Sequence, residues 1–259
     1  MSFVIESIHF SYGNTKALQG ISTYFEDSTF YAIIGPNGCG KSTLLKCLYG
    51  YQRPMQGEIK IDNKEIFKMN HKKRATKISY VAQSNEISFD FSVKDIVSMG
   101  RNPYIGRFSS LNENDMFHIN ESLKQTSMVE FKDKSINELS GGEKQRAFIA
   151  RALAQDTKII LLDEPVSMLD INHQIEIMDT IKTLSLKKKR TIICVLHDLN
   201  LASIYADYVV LMDNGKINSI GTPKKVLTKE NLKQVYNADV HIIDNITNQS
   251  KFIIPKSKL

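Results

Sequence analysis

Short runs of β-branched and aromatic residues recur through the first third of the chain: Phe3 to Ile8, Ile21 to Phe25, Phe30 to Ile34 and Glu58 to Ile61. Polar and glycine breaks such as Tyr12-Gly13-Asn14 separate them, which predicts strands joined by turns. From about Ser92 to Asn137 the character changes to polar residues with Val93, Ile96 and Val97, and later Phe117, Ser122 and Leu123, at helical spacing. This predicts a small helical subdomain over about residues 90–155. Beyond it, strand-like runs (Lys158 to Leu162, Thr191 to Leu196, Tyr208 to Met212) alternate with helix-like ones (Asn172 to Leu186, Leu199 to Tyr205). Such alternation calls for crossover connections and a largely parallel sheet with helices packed on it, an α/β fold. Pro223 to Tyr236 reads as closing helices, and the last twenty or so residues carry no clear pattern.

At 259 residues the chain fits one large domain or a core with a small subdomain. A hydrophobic share of 42% and a charged share of 24% exclude a chain disordered for lack of apolar side chains. The longest apolar runs, such as Ile159 to Leu162 and Ile192 to Leu196, fall far short of the roughly 20 residues that cross a bilayer. The start, Met1-Ser2-Phe3-Val4-Ile5-Glu6, has neither the basic opening nor the apolar stretch of an export signal. Three cysteines, Cys39, Cys47 and Cys194, form no disulfide framework and suit a reducing cytoplasm. The net charge of +6 admits an anionic partner. However, the basic runs His71-Lys72-Lys73-Arg74 and Lys187-Lys188-Lys189-Arg190 are short and read as solvated turns.

Chemistry enters with Gly35-Pro36-Asn37-Gly38-Cys39-Gly40-Lys41-Ser42-Thr43, a phosphate-binding loop pattern set between the strand-like Phe30 to Ile34 and a helix-like run to Tyr49. Its glycines let successive N–H groups turn inward onto phosphate oxygens, and the helix that follows adds its positive end. Lys41 is placed to reach the β- and γ-phosphates, and the Ser42 hydroxyl to ligate Mg²⁺. Cys39 is a small filler, or a reactive thiol whose pKa the helix N-terminus lowers. A second signal is Ile159-Ile160-Leu161-Leu162-Asp163-Glu164-Pro165, an apolar strand ending in two carboxylates. Asp163 would hold Mg²⁺, and Glu164 would polarise the water that attacks the γ-phosphate. The third is Leu139-Ser140-Gly141-Gly142-Glu143-Lys144-Gln145-Arg146 before a helical run. A capping box accounts for Ser140 and Glu143. It leaves Gly141 and Gly142 unexplained in a first turn, where each costs roughly 1 kcal/mol against alanine, unless the backbone must approach a phosphate.

Together these motifs make the chain resemble the ATP-binding subunits of ABC transporters, from about Phe3 to Asp239. The resemblance implies a P-loop nucleoside triphosphatase with a RecA-like parallel-sheet core, an antiparallel β subdomain and a helical signature subdomain. Residues 1–239 then form the nucleotide-binding domain and 240–259 a C-terminal tail. The Leu-Ser-Gly-Gly stretch resembles the family signature, with Glu143 where the family usually has Gln. Gln83 resembles the glutamine that contacts Mg²⁺ and the membrane partner, and His197 the switch histidine. Ser167-Met168-Leu169-Asp170 resembles the loop joining two active sites across a dimer. Tyr12 stands where the family stacks an aromatic ring on adenine. His9, His71, His118 and His241 show no metal-ligand spacing and read as structural or exposed.

The resemblance further implies that Ser140, Gly141, Gly142, Glu143 and Asp170 complete the ATP site of a second copy, in a head-to-tail homodimer that closes on ATP and opens after hydrolysis. Integral membrane permease subunits, an extracytoplasmic binding protein and a place at the cytoplasmic face of the membrane are implied with it, and no nucleic-acid partner. Gly100-Arg101-Asn102-Pro103-Tyr104, Leu169-Asp170-Ile171-Asn172-His173-Gln174 and His197-Asp198-Leu199-Asn200-Leu201-Ala202 are similar to the subgroup that imports iron–siderophore complexes, haem and cobalamin. Iron chelates are the expected cargo. The alternatives are haem, cobalamin, zinc or manganese, and a soluble cassette acting on nucleic acid.

Overall fold

The computed structural model describes residues 3–83, 89–106, 109–167, 169–244 and 250–257. The chain opens with β1 (Phe3–Tyr12), β2 (Thr15–Phe25), β3 (Phe30–Ile34), α1 (Lys41–Tyr49), β4 (Gln56–Ile61) and β5 (Lys64–Glu65). It continues with α2 (His71–Ala75), β6 (Ile78–Val81), α3 (Val93–Ser98), α4 (Glu113–Gln125), α5 (Gly141–Ala154), β7 (Ile159–Asp163) and α6 (Ile171–Lys188). It ends with β8 (Thr191–Val195), α7 (Leu199–Tyr205), β9 (Tyr208–Asp213), β10 (Lys216–Gly221), α8 (Pro223–Val226), α9 (Lys229–Tyr236), β11 (Val240–Asp244) and β12 (Lys251–Pro255). The chain divides into two compact units. One joins Met1–Lys68 to Thr191–Leu259, and the other is Met69–Arg190.

In the first unit, β3 lies parallel to both β8 and β9, and β10 pairs antiparallel with β9. Every residue of β3 and β8 is buried, which is why these segments read as continuous apolar runs rather than alternating ones. Leu44, Leu45, Cys47 and Leu48 of α1 are fully buried, and each such leucine contributes about 1.5–3 kcal/mol. A separate antiparallel sheet has the order β2-β1-β4-β5. The tail, which showed no pattern in sequence, is the antiparallel hairpin β11–β12.

In the second unit β6 and β7 run parallel, and α3 and α4 pack on α5. The helices start where their sequences dictate: Ser92 with Asp95, Asn112 with Asp115, and Ser140 with Glu143 each form a reciprocal capping box. α4 buries Asp115, Ile119, Ser122 and Leu123, whereas Phe117, expected on the apolar face, is exposed. Two positions past Asp115 is about 200° around a helix, so Phe117 points away from that stripe. The Gly-Arg-Asn-Pro-Tyr stretch ties this unit together. A Cβ on Gly100 would come within 2.2 Å of the Arg151 carbonyl oxygen. Arg101 is buried, donates to Asp115 Oδ1 at 2.9 Å and to the Ala154 carbonyl at 2.7 Å, and lies 4.0 Å over the Tyr104 ring.

The basic runs differ from the expected solvated turns. His71 to Ala75 forms a one-turn helix started by Asn70, whose side chain accepts the Lys72 N–H. Lys187 and Lys188 end α6 in solvent, but Arg190 turns inward and pairs with Asp156 at 2.7 Å. No helix among the described residues is long and apolar enough to cross a membrane.

Candidate active site

The first unit carries the phosphate loop, Tyr12 and His197. Gly35 at φ +151° and Gly40 at φ +103° hold conformations that L side chains rarely adopt. Space closes both positions as well: a Cβ on Gly35 would sit 2.2 Å from the Met212 carbonyl oxygen, and one on Gly40 2.4 Å from that of Ala17. Pro36, Asn37 and Gly38 form the bend between them, closed where the Cys39 N–H donates to the Pro36 carbonyl. The Gly215 N–H donates to the Cys39 carbonyl at 3.0 Å, pinning the loop to the β9–β10 turn. Lys41 is buried and its Nζ donates to the Gly35 and Pro36 carbonyls at 2.8 Å each, so the ammonium lies within the loop. α1 then begins at Lys41, Ser42 and Thr43 with Gly40 as its cap, which brings no side chain to the exposed N–H groups, and with no acidic residue in its first turn. Such a helix end favours an anion.

Cys39 corrects an expectation. Burial pushes its thiol above the ordinary value of 9.0, and the Lys41 ammonium only partly offsets this. The helix end does not win, because Cys39 is only 5% exposed and its thiolate would be desolvated. Its Sγ would lie 2.7 Å from a Cβ at Gly35, so Cys39 is the filler that requires glycine there. Tyr12 ends β1, is 47% exposed and sets its ring edge-on to Phe10 at 4.9 Å, an accessible aromatic residue. His197 follows β8 and is exposed, immediately before Asp198, the N-cap of α7.

The second unit carries the carboxylates and the Ser-Gly-Gly stretch. Asp163, the last residue of β7, is buried, and its Oδ2 accepts the Tyr80 hydroxyl at 3.1 Å. Glu164 sits at φ +52°, a conformation that costs a non-glycine residue on the order of 1–3 kcal/mol and clusters at functional sites. Gln83 Nε2 donates to Glu164 Oε2 at 2.5 Å, so two residues far apart in sequence are brought into direct contact. Ser140 caps α5: its N–H and hydroxyl both donate to Glu143 Oε2 at 2.7 Å, holding the Glu143 carboxyl below its usual range. Asp170 caps α6, its Oδ1 accepting the His173 N–H at 3.0 Å and lying 2.9 Å from His173 Nδ1. Met168 lies outside the described residues.

Besides Gln83 with Glu164, three further contacts in these units were not anticipated from sequence. Tyr80 orients Asp163 from the neighbouring strand, and its place one residue before the end of β6 was the available signal. His173 lies 3.2–3.5 Å from where a Gly142 Cβ would be, so the ring joins the Ser-Gly-Gly stretch to the Asp170 turn. This gives Gly142 a packing reason, whereas a Cβ on Gly141 would meet no described residue within 4 Å. The third is Arg101 with Asp115, described above.

Comparison with known proteins decides the family. A profile of the ABC transporter family matches residues 18–167. The chain belongs to the ABC transporter family. It is 40% identical over 93% of its length to the petrobactin import ATP-binding protein YclP of Bacillus subtilis, covering 96% of that protein. It is 36% identical over 96% of its length to the ferric enterobactin transport ATP-binding protein FepC of Escherichia coli, covering 92% of that protein. A metal-chelate type ABC transporter in an inward-facing conformation aligns with TM-score 0.86 and 29% identity, over 99% of this chain and 98% of the other. A dimeric ATP-binding cassette in a post-hydrolysis state, bound to ADP and Pi, aligns with TM-score 0.75 and 28% identity over 85% of this chain and 98% of that one. This ABC cassette is an ATPase, and its α/β fold is that of the family's nucleotide-binding subunits.

Proposed function

We propose that this ABC cassette energises import of an iron(III)–siderophore or related iron chelate, as two copies that share two ATP molecules and drive separate permease subunits fed by an extracytoplasmic binding protein. Support for the cargo comes from relatives at 36–40% identity that carry names of petrobactin, ferric enterobactin and iron(3+)-hydroxamate transport. A cobalamin import ATP-binding protein of Halobacterium salinarum at 31% identity keeps cobalamin as the second reading.

In this reading the backbone of residues 35–43 cradles the triphosphate, Lys41 leaves the Gly35 and Pro36 carbonyls for the β- and γ-phosphates, and Tyr12 stacks on the base. Ser140, Gly141, Gly142, Glu143 and Asp170 of the second copy cover the γ-phosphate. Ser42, Gln83 and Asp163 offer only oxygen donors to Mg²⁺, a hydroxyl, an amide and one carboxylate. That set fits a hard cation that keeps phosphate and water as its other ligands. When bound, Mg²⁺ neutralises charge on the phosphates. Glu164, held by Gln83, orients a water and accepts its proton as the oxygen bonds to the γ-phosphorus and the bond to the ADP oxygen breaks. His197 holds the γ-phosphate.

The observation that carries this reading is Glu164, its backbone at positive φ and its carboxylate held by Gln83, just past the end of a buried strand. A Glu164→Gln variant is expected to lose about 10²–10⁴ in turnover while binding ATP normally, and to abolish uptake of radio-iron as its chelate in the host cell. Turnover near the wild-type rate removes Glu164 from this role, and loss of cobalamin uptake with intact iron uptake transfers the cassette to the second reading.

A further inference from the structure

The final strand of the chain is fastened to the helix that begins just after His197. The Asn200 side chain meets Ile253 as a neighbouring strand would. Its Oδ1 accepts the Ile253 N–H at 2.8 Å, and its Nδ2 donates to the Ile253 carbonyl at 3.4 Å. One turn further along α7, the Ser203 hydroxyl oxygen accepts the Lys251 N–H at 2.7 Å. Positions 200 and 203 share a helix face, and 251 and 253 share an edge of β12, so the two elements engage in register. Ile253, Ser203 and Ser250 are all buried at this seam. Lys251 extends the other way, its Nζ donating to the carbonyls of Lys224 and Leu227 at the end of α8.

Asn200 is held from its other side too. Its backbone N–H donates to Asp198 Oδ1 at 2.6 Å, and Asp198 adjoins His197. α7 has only seven residues. A helix so short does not hold its first turn by its own hydrogen bonds and takes its order from what it packs on. We propose that Asn200 is a positioning residue for ATP hydrolysis: through it the hairpin β11–β12 sets the first turn of α7, and with it the direction in which His197 meets the γ-phosphate. The inference rests on the role given to His197 under the proposed function.

The test is steady-state ATPase kinetics on the full-length chain carrying Asn200→Ala, His197→Ala or both, with ADP affinity and thermal melts alongside. Asn200→Ala removes both side-chain bonds to Ile253, the longer of them weak, and is expected to lower kcat about three- to tenfold, with KM for ATP and the affinity for ADP unchanged because the phosphate loop is untouched. With His197 already replaced, the same change is expected to alter kcat by less than about twofold, since its route is gone. Lys251→Met, which frees α8 but keeps the backbone bond to Ser203, is expected to lower Tm and leave kcat alone. Asn200→Asp keeps the acceptor for the Ile253 N–H. It is expected to retain at least about half of the wild-type kcat, and if the alanine chain does not fold, Asn200→Ser, whose side chain is too short to reach both Ile253 groups, takes its place with the same expected loss and the same double variant. Independent losses in the double variant, or a raised KM at constant kcat, overturn the positioning role. Normal kcat for Asn200→Ala beside an impaired His197→Ala overturns that role alone, and normal kcat for His197→Ala overturns the reading of the site beneath it.

Discussion

Cys39 shows how one side chain's environment reverses its chemistry. A thiol at a helix N-terminus beside a lysine has two reasons to ionise, yet burial outweighs both and lifts its pKa. Alkylation of the native protein at neutral pH is therefore expected to run at least about tenfold slower than in the denatured chain, and to accelerate with pH above 9, the thiol's ordinary range. Mass spectrometry of Cys39 labelling against pH checks this, and labelling already maximal at pH 7 contradicts it. Gly141 offers a second test at this scale. No described residue opposes a Cβ there, so Gly141→Ala is expected to keep or raise Tm, with up to about 1 kcal/mol of added helix stability. The same change is expected to cut ATPase activity about tenfold or more, because donors aimed at a developing charge tolerate little displacement. Unchanged hydrolysis in a stable Gly141→Ala chain takes this glycine out of the site.

At the scale of elements, the helices of the second unit depend on the buried Arg101–Asp115 pair, whose side chains are each 3% exposed. Removing one partner strands the other, so Arg101→Met is expected to destabilise the fold by about 3–5 kcal/mol in denaturant unfolding. A cost below about 1 kcal/mol marks the pair as dispensable. The pair also sets a pH response. Burial pushes the Asp115 carboxyl up, but the Asn112 N–H and the Arg101 guanidinium outweigh it and hold the pKa below the ordinary 3.8. A depressed folded-state value means that the stabilisation is complete above that ordinary value and is lost as pH falls through the lower folded one. Acid unfolding monitored by circular dichroism is expected to lose this component below about pH 4, and Arg101→Met to shift the transition to higher pH.

For the molecule as a whole, the phosphate loop and His197 belong to one compact unit, and Gln83, Asp163, Glu164 and the Ser-Gly-Gly stretch to the other. If two copies share two ATP molecules, assembly must follow nucleotide. The Glu164→Gln chain with ATP is expected to double its mass in light scattering, while ADP, or Lys41→Ala with ATP, leaves single copies. A dimer that forms equally without nucleotide rules out ATP as the clamp.

The local code of the sequence determined much of this protein. β3, β7 and β8 are legible because a strand buried on both faces must be apolar throughout, and the phosphate loop because only glycine accepts the backbone of positions 35 and 40. The Ser140 and Asp170 turns are equally legible, since a capping side chain reaches only two or three residues along. Other features were decided by residues distant in sequence that the fold brings together: Gln83 with Glu164, Tyr80 with Asp163, Arg101 with Ala154, and Asn200 with Ile253. The hairpin β11–β12 went unread because two short strands gain their stability from each other and from α7, not from any period within them. Hydrophobic period and backbone sterics act over a turn of chain, whereas the choice of partner for a buried polar group is settled only when the whole chain has closed around it.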